Sequence, residues 1–294
     1  MNVTAKSRLL RELIQARATL VMPDAFDPLS AKIIESLGFP AVQCSGFSMA
    51  LAAMRPTEAD LGLAANLGMT QAIVAAVQVP VMADGEDGFG EGAAVAEAIR
   101  AFVAAGVAGI NVEDQALGQP GPKCTIPMER MLAKLQTVRR AAREAGNPDL
   151  VLNGRTDALA AATDRAAGLR EAAERANAYL AAGADLAFVT GVATLEEVQF
   201  LMREINGPLS VAAGMPYNRH QLSLTALKAT GVARVSLPSV AVFAALRAMT
   251  DTLRSIRDTG DFAEAAAQNR FCDPADIAAL RVARPQPSTN CGAP

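Results

Sequence analysis

Val77-Gln-Val-Pro-Val-Met-Ala-Asp-Gly-Glu-Asp-Gly-Phe-Gly90 decides how the chain is read. Its first half is an apolar run of strand character. Its second half is a glycine-rich turn leading into a helical pattern from about residue 91. Three carboxylates, Asp84, Glu86 and Asp87, fall where the strand gives way to the turn. Like charges so close repel unless water solvates them or they share a cation. Oxygen ligands on a flexible turn suit a hard divalent ion, Mg²⁺ or Mn²⁺. A solvated acidic turn is the alternative, and the rest of the chain must discriminate.

Short apolar runs of the same kind recur at 20–22, 41–44, 79–83, 109–112, 150–153, 186–189, 209–212 and 233–236. Alanine-rich helical patterns separate them, at roughly 28–37, 58–76, 91–105, 127–145, 163–182, 194–205 and 219–229, with a last one at 239–257. Continuous apolar runs are what strands of a parallel sheet need, since helices cover both faces. Gly38, Gly106, Gly183 and Gly231 each close a helical stretch just before a strand, where a left-handed cap residue is wanted. Thr194-Leu-Glu-Glu197 has the spacing of a capping box. Eight β/α units in 294 residues predict an α/β fold, the (β/α)8 TIM barrel. A doubly wound sheet fits less well, because no G-x-G-x-x-G follows the first strand.

The barrel should occupy residues 1–258 as one catalytic domain. Beyond it, 261–270 and 273–283 read as two added helices, the second with Asp273-Pro274 at its start, and 284–294 as a mobile tail.

A net charge of −3 and the lack of a basic, aromatic-studded stripe argue against nucleic acid. No apolar run is long enough to span a bilayer, and the first sixteen residues do not read as a signal peptide, so a cytoplasmic protein is expected. The four cysteines form no C-x-x-C pair, and the one histidine, His220, excludes most histidine-based metal sites.

In a TIM barrel, function gathers at the C-terminal ends of the strands. Those ends here are Asp24 and Asp27, Cys44-Ser45-Gly46, Asp84 and Glu86, Glu113-Asp114, and Arg155-Thr-Asp157, followed by Thr190, Gly214 and Pro238. Strand bodies read as apolar and upper ends as polar. Asp84, Glu86 and Glu113 would surround a cation, and Arg155 would present a planar fork to a carboxylate or phosphonate. Ser45 and Gly46 would offer backbone N–H groups to an anion, and Lys123 would close over it. Cation and anion holes together suit a small 2-oxo acid that reacts through a metal-stabilised enolate.

These stretches resemble the isocitrate lyase/phosphoenolpyruvate mutase superfamily. The resemblance rests on Pro23-Asp-Ala-Phe-Asp27 with Leu29-Ser-Ala31, Cys44-Ser-Gly46, Ala83-Asp-Gly-Glu-Asp-Gly-Phe-Gly90, Gly109-Ile-Asn-Val-Glu-Asp114 and Asn153-Gly-Arg-Thr-Asp157, in family order over roughly 15–245. It implies a Mg²⁺-dependent barrel that makes or breaks C–C or C–P bonds in 2-oxo acids. It also implies a homotetramer that exchanges a C-terminal helix. Asp84 matches the direct metal ligand, and Glu86 and Glu113 match acids that reach the metal through water. Ser45, Gly46 and Arg155 match substrate-holding groups, and Asn153, another candidate substrate contact, precedes Gly154 where alanine is common.

Two departures bear on the reaction. The Lys-Lys/Arg-Cys-Gly-His loop of the lyases is replaced by Gln119-Pro-Gly-Pro-Lys-Cys-Thr-Ile-Pro127, which disfavours an isocitrate- or methylisocitrate-type lyase. Thr57 stands where mutases and hydrolases carry Asp. The reading that remains is C–C cleavage or decarboxylation of an oxaloacetate-like acid. A C–P enzyme (mutase or phosphonopyruvate hydrolase), a (methyl)isocitrate lyase and a non-catalytic 2-oxo acid binder are the alternatives.

Overall fold

A computed structural model describes residues 2–116 and 123–281. The chain enters through helix α1 (Val3–Gln15), capped by the Asn2 side chain. It then alternates as expected: β1 (Leu20–Ala25), α2 (Pro28–Ser36), β2 (Val42–Cys44), α3 (Gly46–Ala52), α4 (Glu58–Ala76), β3 (Val81–Asp84), α5 (Ala93–Ala104), β4 (Gly109–Glu113) and α6 (Met128–Glu144). The second half runs β5 (Val151–Thr156), α7 (Ala158–Ala161), α8 (Arg165–Ala181), β6 (Leu186–Val189), α9 (Leu195–Glu204), β7 (Leu209–Ala212), α10 (Leu224–Thr230) and β8 (Arg234–Leu237). It ends with α11 (Val240–Thr259), α12 (Ala263–Ala267) and α13 (Pro274–Arg281). Every strand pairs in parallel with its sequence neighbours, and β8 returns to β1, closing the barrel.

The local signals explain the joints. Gly38, Gly106, Gly183 and Gly231 all adopt positive φ, between 78° and 100°, where a side chain would be strained. Thr194 and Glu197 form the capping box at the start of α9. Helix α1 closes the N-terminal end of the barrel, burying Leu10 and Ile14 against Leu20, Ala108, Val151 and Leu186.

The barrel interior departs from the sequence reading. Strand bodies read as apolar, yet Gln43, Asn111, Asn153, Ser210 and Arg234 are all buried there. Arg234 donates to Gln43 Oε1 at 2.7 Å and to Ser210 Oγ at 3.1 Å, and its guanidinium lies 5.6 Å from the Phe188 ring centre. Residues spaced two apart on a strand share a face, so Asn111 and Asn153 face the same side of the sheet as Glu113 and Arg155 at the strand ends. Helices α3 and α7 went unread, and the helix expected at 219–229 begins only at Leu224. The tail at 284–294, the last two residues of the 273–283 stretch, and Gln119–Pro122 of the loop after β4 lie outside the described residues.

Candidate active site

Strand β3 ends on Asp84, and the turn after it holds Glu86 in a left-handed conformation, φ 47°. Such a backbone is uncommon outside glycine, and at a strand end it re-aims the side chain. Glu113 N–H donates to the Glu86 carbonyl at 2.8 Å, tying the turn to the end of β4. Asp84, Glu86 and Glu113 thereby each bring a carboxylate oxygen within 4.8 Å of the others. Asp87 turns away: its Oδ1 accepts from Phe89 N–H at 2.9 Å, within the turn.

Gly46 is the support of this cluster. Its N–H donates to Asp84 Oδ2 at 2.9 Å, so it steadies an acid rather than meeting an outside anion. A Cβ on Gly46 would lie 1.7 Å from Glu86 Oε1, so only glycine lets the two acids close up. Asn66, from α4, donates to the Asp84 carbonyl at 3.1 Å and reaches Glu86 Oε1 at 3.5 Å.

The electrostatics fit a cation. All three acids are buried. Burial pushes Glu86 and Glu113 well above the usual carboxylate range, and the Asp84 charge is the next contributor at Glu86. Asp84 Oδ1 and Glu113 Oε1 are buried without a hydrogen-bond partner. Unpartnered buried oxygens cost stability unless something positive meets them. Hard oxygens buried this close together match what a divalent cation such as Mg²⁺ takes.

Arg155 stands beside the cluster with its fork already engaged. Nε and Nη2 donate to Asp157 at 2.9 and 3.1 Å, and Nη1 lies 2.6 Å from Glu113 Oε2, an ion pair by distance though not aligned as a hydrogen bond. Asp157 is held in turn by Thr190 Oγ1 at 2.9 Å. Behind them Asp114 is buried, accepting from Thr156 Oγ1, Asp157 N–H and Tyr179 O–H. A Cβ on Gly154 would meet Tyr179 Cβ at 3.0 Å, so the glycine at this place makes room for that tyrosine.

Above these groups opens a cavity of about 370 Å³, within the range of small-ligand sites. Its polar lining comes from Asp24, Ser45, Glu58, Asp84, Asn111, Lys123, Arg155 and Asp157. Phe47, Phe188, Met215, Tyr217 and Pro238 add apolar surface, with the Arg155 guanidinium 5.9 Å from the Phe188 ring centre. Of the residues given a metal- or substrate-binding role from sequence, Asp84, Ser45, Lys123 and Arg155 reach the cavity. Glu86, Glu113 and Gly46 lie behind it around Asp84. Asn153 does not line the cavity; its amide lies 2.6 Å from that of its register partner Asn111, and it is Asn111 that lines the cavity.

The family model for phosphoenolpyruvate phosphomutase matches residues 10–257. The chain belongs to this family. It thus sits in the isocitrate lyase/phosphoenolpyruvate mutase superfamily, as the motifs implied. Among curated proteins it is 32% identical to 2,3-dimethylmalate lyase of Eubacterium barkeri over 88% of this chain and 87% of that one. It is also 32% identical to 2-methylisocitrate lyase of Aeropyrum pernix, over 86% and 80%. Among solved structures, a phosphonopyruvate hydrolase complex with oxalate and Mg²⁺ superposes with a TM-score of 0.83 at 26% identity, covering 96% of this chain and 95% of that one.

For a member of this family, two departures gain a physical setting. Thr57 is exposed and caps α4: its hydroxyl donates to Asp60 Oδ2 at 2.7 Å and accepts from Asp60 N–H at 3.3 Å. Cys124 is exposed and does not line the cavity, whereas Lys123 does, its Nζ 2.6 Å from Gln115 Oε1 and 3.3 Å from Asp157 Oδ1. His220 is exposed and outside the cavity. Sequence reasoning did not reach Glu58, Asn66 or Asn111. Asp24 was noted as a strand end without a role; it accepts from Ser236 Oγ at 2.9 Å, and burial pushes its carboxyl up to about 7.

Proposed function

We propose that this chain is a Mg²⁺-dependent lyase that acts on a small 2-oxo or 2-hydroxy dicarboxylic acid of the oxaloacetate type through an enolate. The observation that carries the reading is the Asp84–Glu86–Glu113 cluster, with its unpartnered buried oxygens, at the foot of a cavity edged by Arg155 and Lys123. Mg²⁺, or Mn²⁺ in its place, would be held by Asp84 directly and by Glu86 and Glu113 through water, and would supply Lewis acidity for charge developing on the substrate carbonyl.

The chain's own residues do the rest. Lys123 supplies a positive charge at the mouth for the substrate's anionic end, and Arg155 adds to the positive field while keeping Asp157 and Glu113 in place. Ser45 and Asn111 offer polar contacts. The apolar surface of Phe47, Phe188 and Met215 excludes water and accepts the carbon skeleton. C–C cleavage is favoured over C–P chemistry because Thr57, at the family's Asp position, is turned to the α4 cap and does not line the cavity.

A coupled assay for pyruvate over a panel of 2-oxo and 2-hydroxy acids tests this. Release from at least one of them, dependent on Mg²⁺, is expected. No turnover of any, with metal present, would sink the lyase reading. In the same panel, inorganic phosphate or a rearranged phosphonate appearing from phosphonopyruvate by phosphorus NMR would move the assignment to C–P bonds. Stabilisation by oxalate and Mg²⁺ without turnover would leave a binder.

We also propose a homotetramer. Leu29, Ile33 and Leu37 on and just past α2, and Leu246, Met249 and Leu253 on α11, are exposed at helical spacing. Exposed apolar stripes of that kind are the surfaces an oligomer buries. Sedimentation velocity should give four times the monomer mass, and a monomer at micromolar concentration would refute the assembly.

A further inference from the structure

Four carboxylates line the cavity, and three are engaged. Asp24 accepts from Ser236 Oγ and Leu237 N–H, Asp84 accepts from Gly46 N–H and belongs to the acidic cluster, and Asp157 holds Arg155. Glu58 is different. Among the described residues it makes no hydrogen bond and no ion pair, and Arg155, Asp84, Lys123 and Asp157 act on it only through space. It is also half-buried, so water can reach it.

Local structure puts it there. Glu58 is the first residue of α4, after the Thr57 cap. The helix breaks at Gly62, φ 70° and ψ 166°, which sets the first turn apart from the rest. Leu61 anchors that turn in the core, and beyond the break Asn66 bonds to Asp84 and Glu86. One helix therefore supports the acidic cluster from behind and places a free carboxyl group at the mouth. No cysteine or histidine stands among the described residues lining the cavity. Lys123 is bound to Gln115 and Asp157.

We propose that Glu58 is the proton-transfer residue of this site, giving a proton to the enolate carbon left when the substrate bond breaks. This rests on the lyase reading above. In decarboxylation of oxaloacetate, the bond from C3 to the departing carboxylate breaks, CO₂ leaves and its electron pair forms the enolate. The Glu58 O–H then breaks, its proton goes to C3, and the enolate oxygen returns to a carbonyl, giving pyruvate. Glu58, now a carboxylate, regains a proton from water at the mouth. Burial in the cavity raises the Glu58 carboxyl above the usual range, with Arg155 opposing the rise and Asp84 adding to it, a shift toward the protonated form.

The test uses the full chain with Mg²⁺ and three readouts: pyruvate release from oxaloacetate, exchange of pyruvate methyl hydrogens for deuterium by proton NMR, and oxalate binding by calorimetry. Glu58→Gln should lower both turnover and exchange by about 10²–10⁴-fold, the usual worth of a positioned acid. Oxalate affinity should stay within about threefold of wild type, and Glu58→Asp should recover part of the exchange. A Glu58→Gln protein that exchanges and turns over like wild type overturns the role while leaving the lyase reading intact. Loss of oxalate binding equal to the loss of turnover overturns it in favour of a binding role. Wild-type protein that yields no pyruvate from any acid removes the lyase reading and the role together.

Discussion

Asp84→Ala is expected to abolish Mg²⁺-dependent pyruvate release while leaving the metal-free protein no less stable than wild type. The two effects have one cause. Three buried acids whose oxygens lie within 4.8 Å of one another are a poor arrangement for stability and a good one for a cation. Among neighbouring charges, Asp84 is the largest that raises the Glu86 carboxyl, so deleting it relieves repulsion. It also removes the unpartnered Oδ1. The loss of one hydrogen bond from Gly46 N–H offsets part of that gain. Turnover has no such compensation, because Lewis-acid stabilisation of developing charge is worth several kcal/mol, so the loss should exceed about 10³-fold. Thermal unfolding gives the second readout. Saturating Mg²⁺ at about a hundred times its Kd should stabilise wild type by about 2.7 kcal/mol and Asp84→Ala hardly at all. A variant that keeps its Mg²⁺-dependent rise in Tm would show that the ion sits elsewhere.

The acidic cluster was legible because its signal is local: carboxylates crowd two adjacent strand ends, and the strand order followed from the β/α alternation. The helix-closing glycines were legible for the same reason, since a positive φ is demanded by the joint itself. What sequence reasoning missed is set by placement across the barrel. Arg234 reads as one polar residue in a short strand, but its partner Gln43 is 191 positions away. Glu58 reads as an ordinary first-turn acid of a helix, and only the closed barrel shows that it lines the cavity, on a first turn set apart by the break at Gly62. Helix α3 follows β2 with only Ser45 between them, and Ser45 serves both as strand end and as helix cap. No turn signal separates the two elements. Ser45 was singled out from sequence, but the helix after it was not.

Arg155→Ala is expected to destabilise the fold as well as to impair turnover, and this decides between two readings of the same side chain. From sequence, Arg155 is a free fork waiting for a substrate carboxylate, and its loss should chiefly weaken binding. In the structure the fork is taken. Two of its nitrogens face Asp157 and the third lies 2.6 Å from Glu113, and each of these carboxylates is only 1% exposed. Removing the cation leaves both buried without their counter-charge, a change that costs about 3–5 kcal/mol in comparable buried pairs. For a domain of this size that corresponds to a fall in Tm of roughly 10 °C. Arg155→Lys should restore less than half of it, since an ammonium cannot bridge the two acids as the planar fork does. The substrate's anionic end is then left chiefly to Lys123, which is about half exposed and whose Nζ meets Gln115 Oε1 at 2.6 Å and Asp157 Oδ1 at 3.3 Å. If Arg155→Ala unfolds within about 1 °C of wild type, the ion pairs contribute nothing and the fork is available to substrate after all. A drop near the expected size makes Arg155 the group that holds two acids of opposite duty together. Glu113 faces the cation cluster and Asp157 faces the cavity, and both depend on this guanidinium for their place.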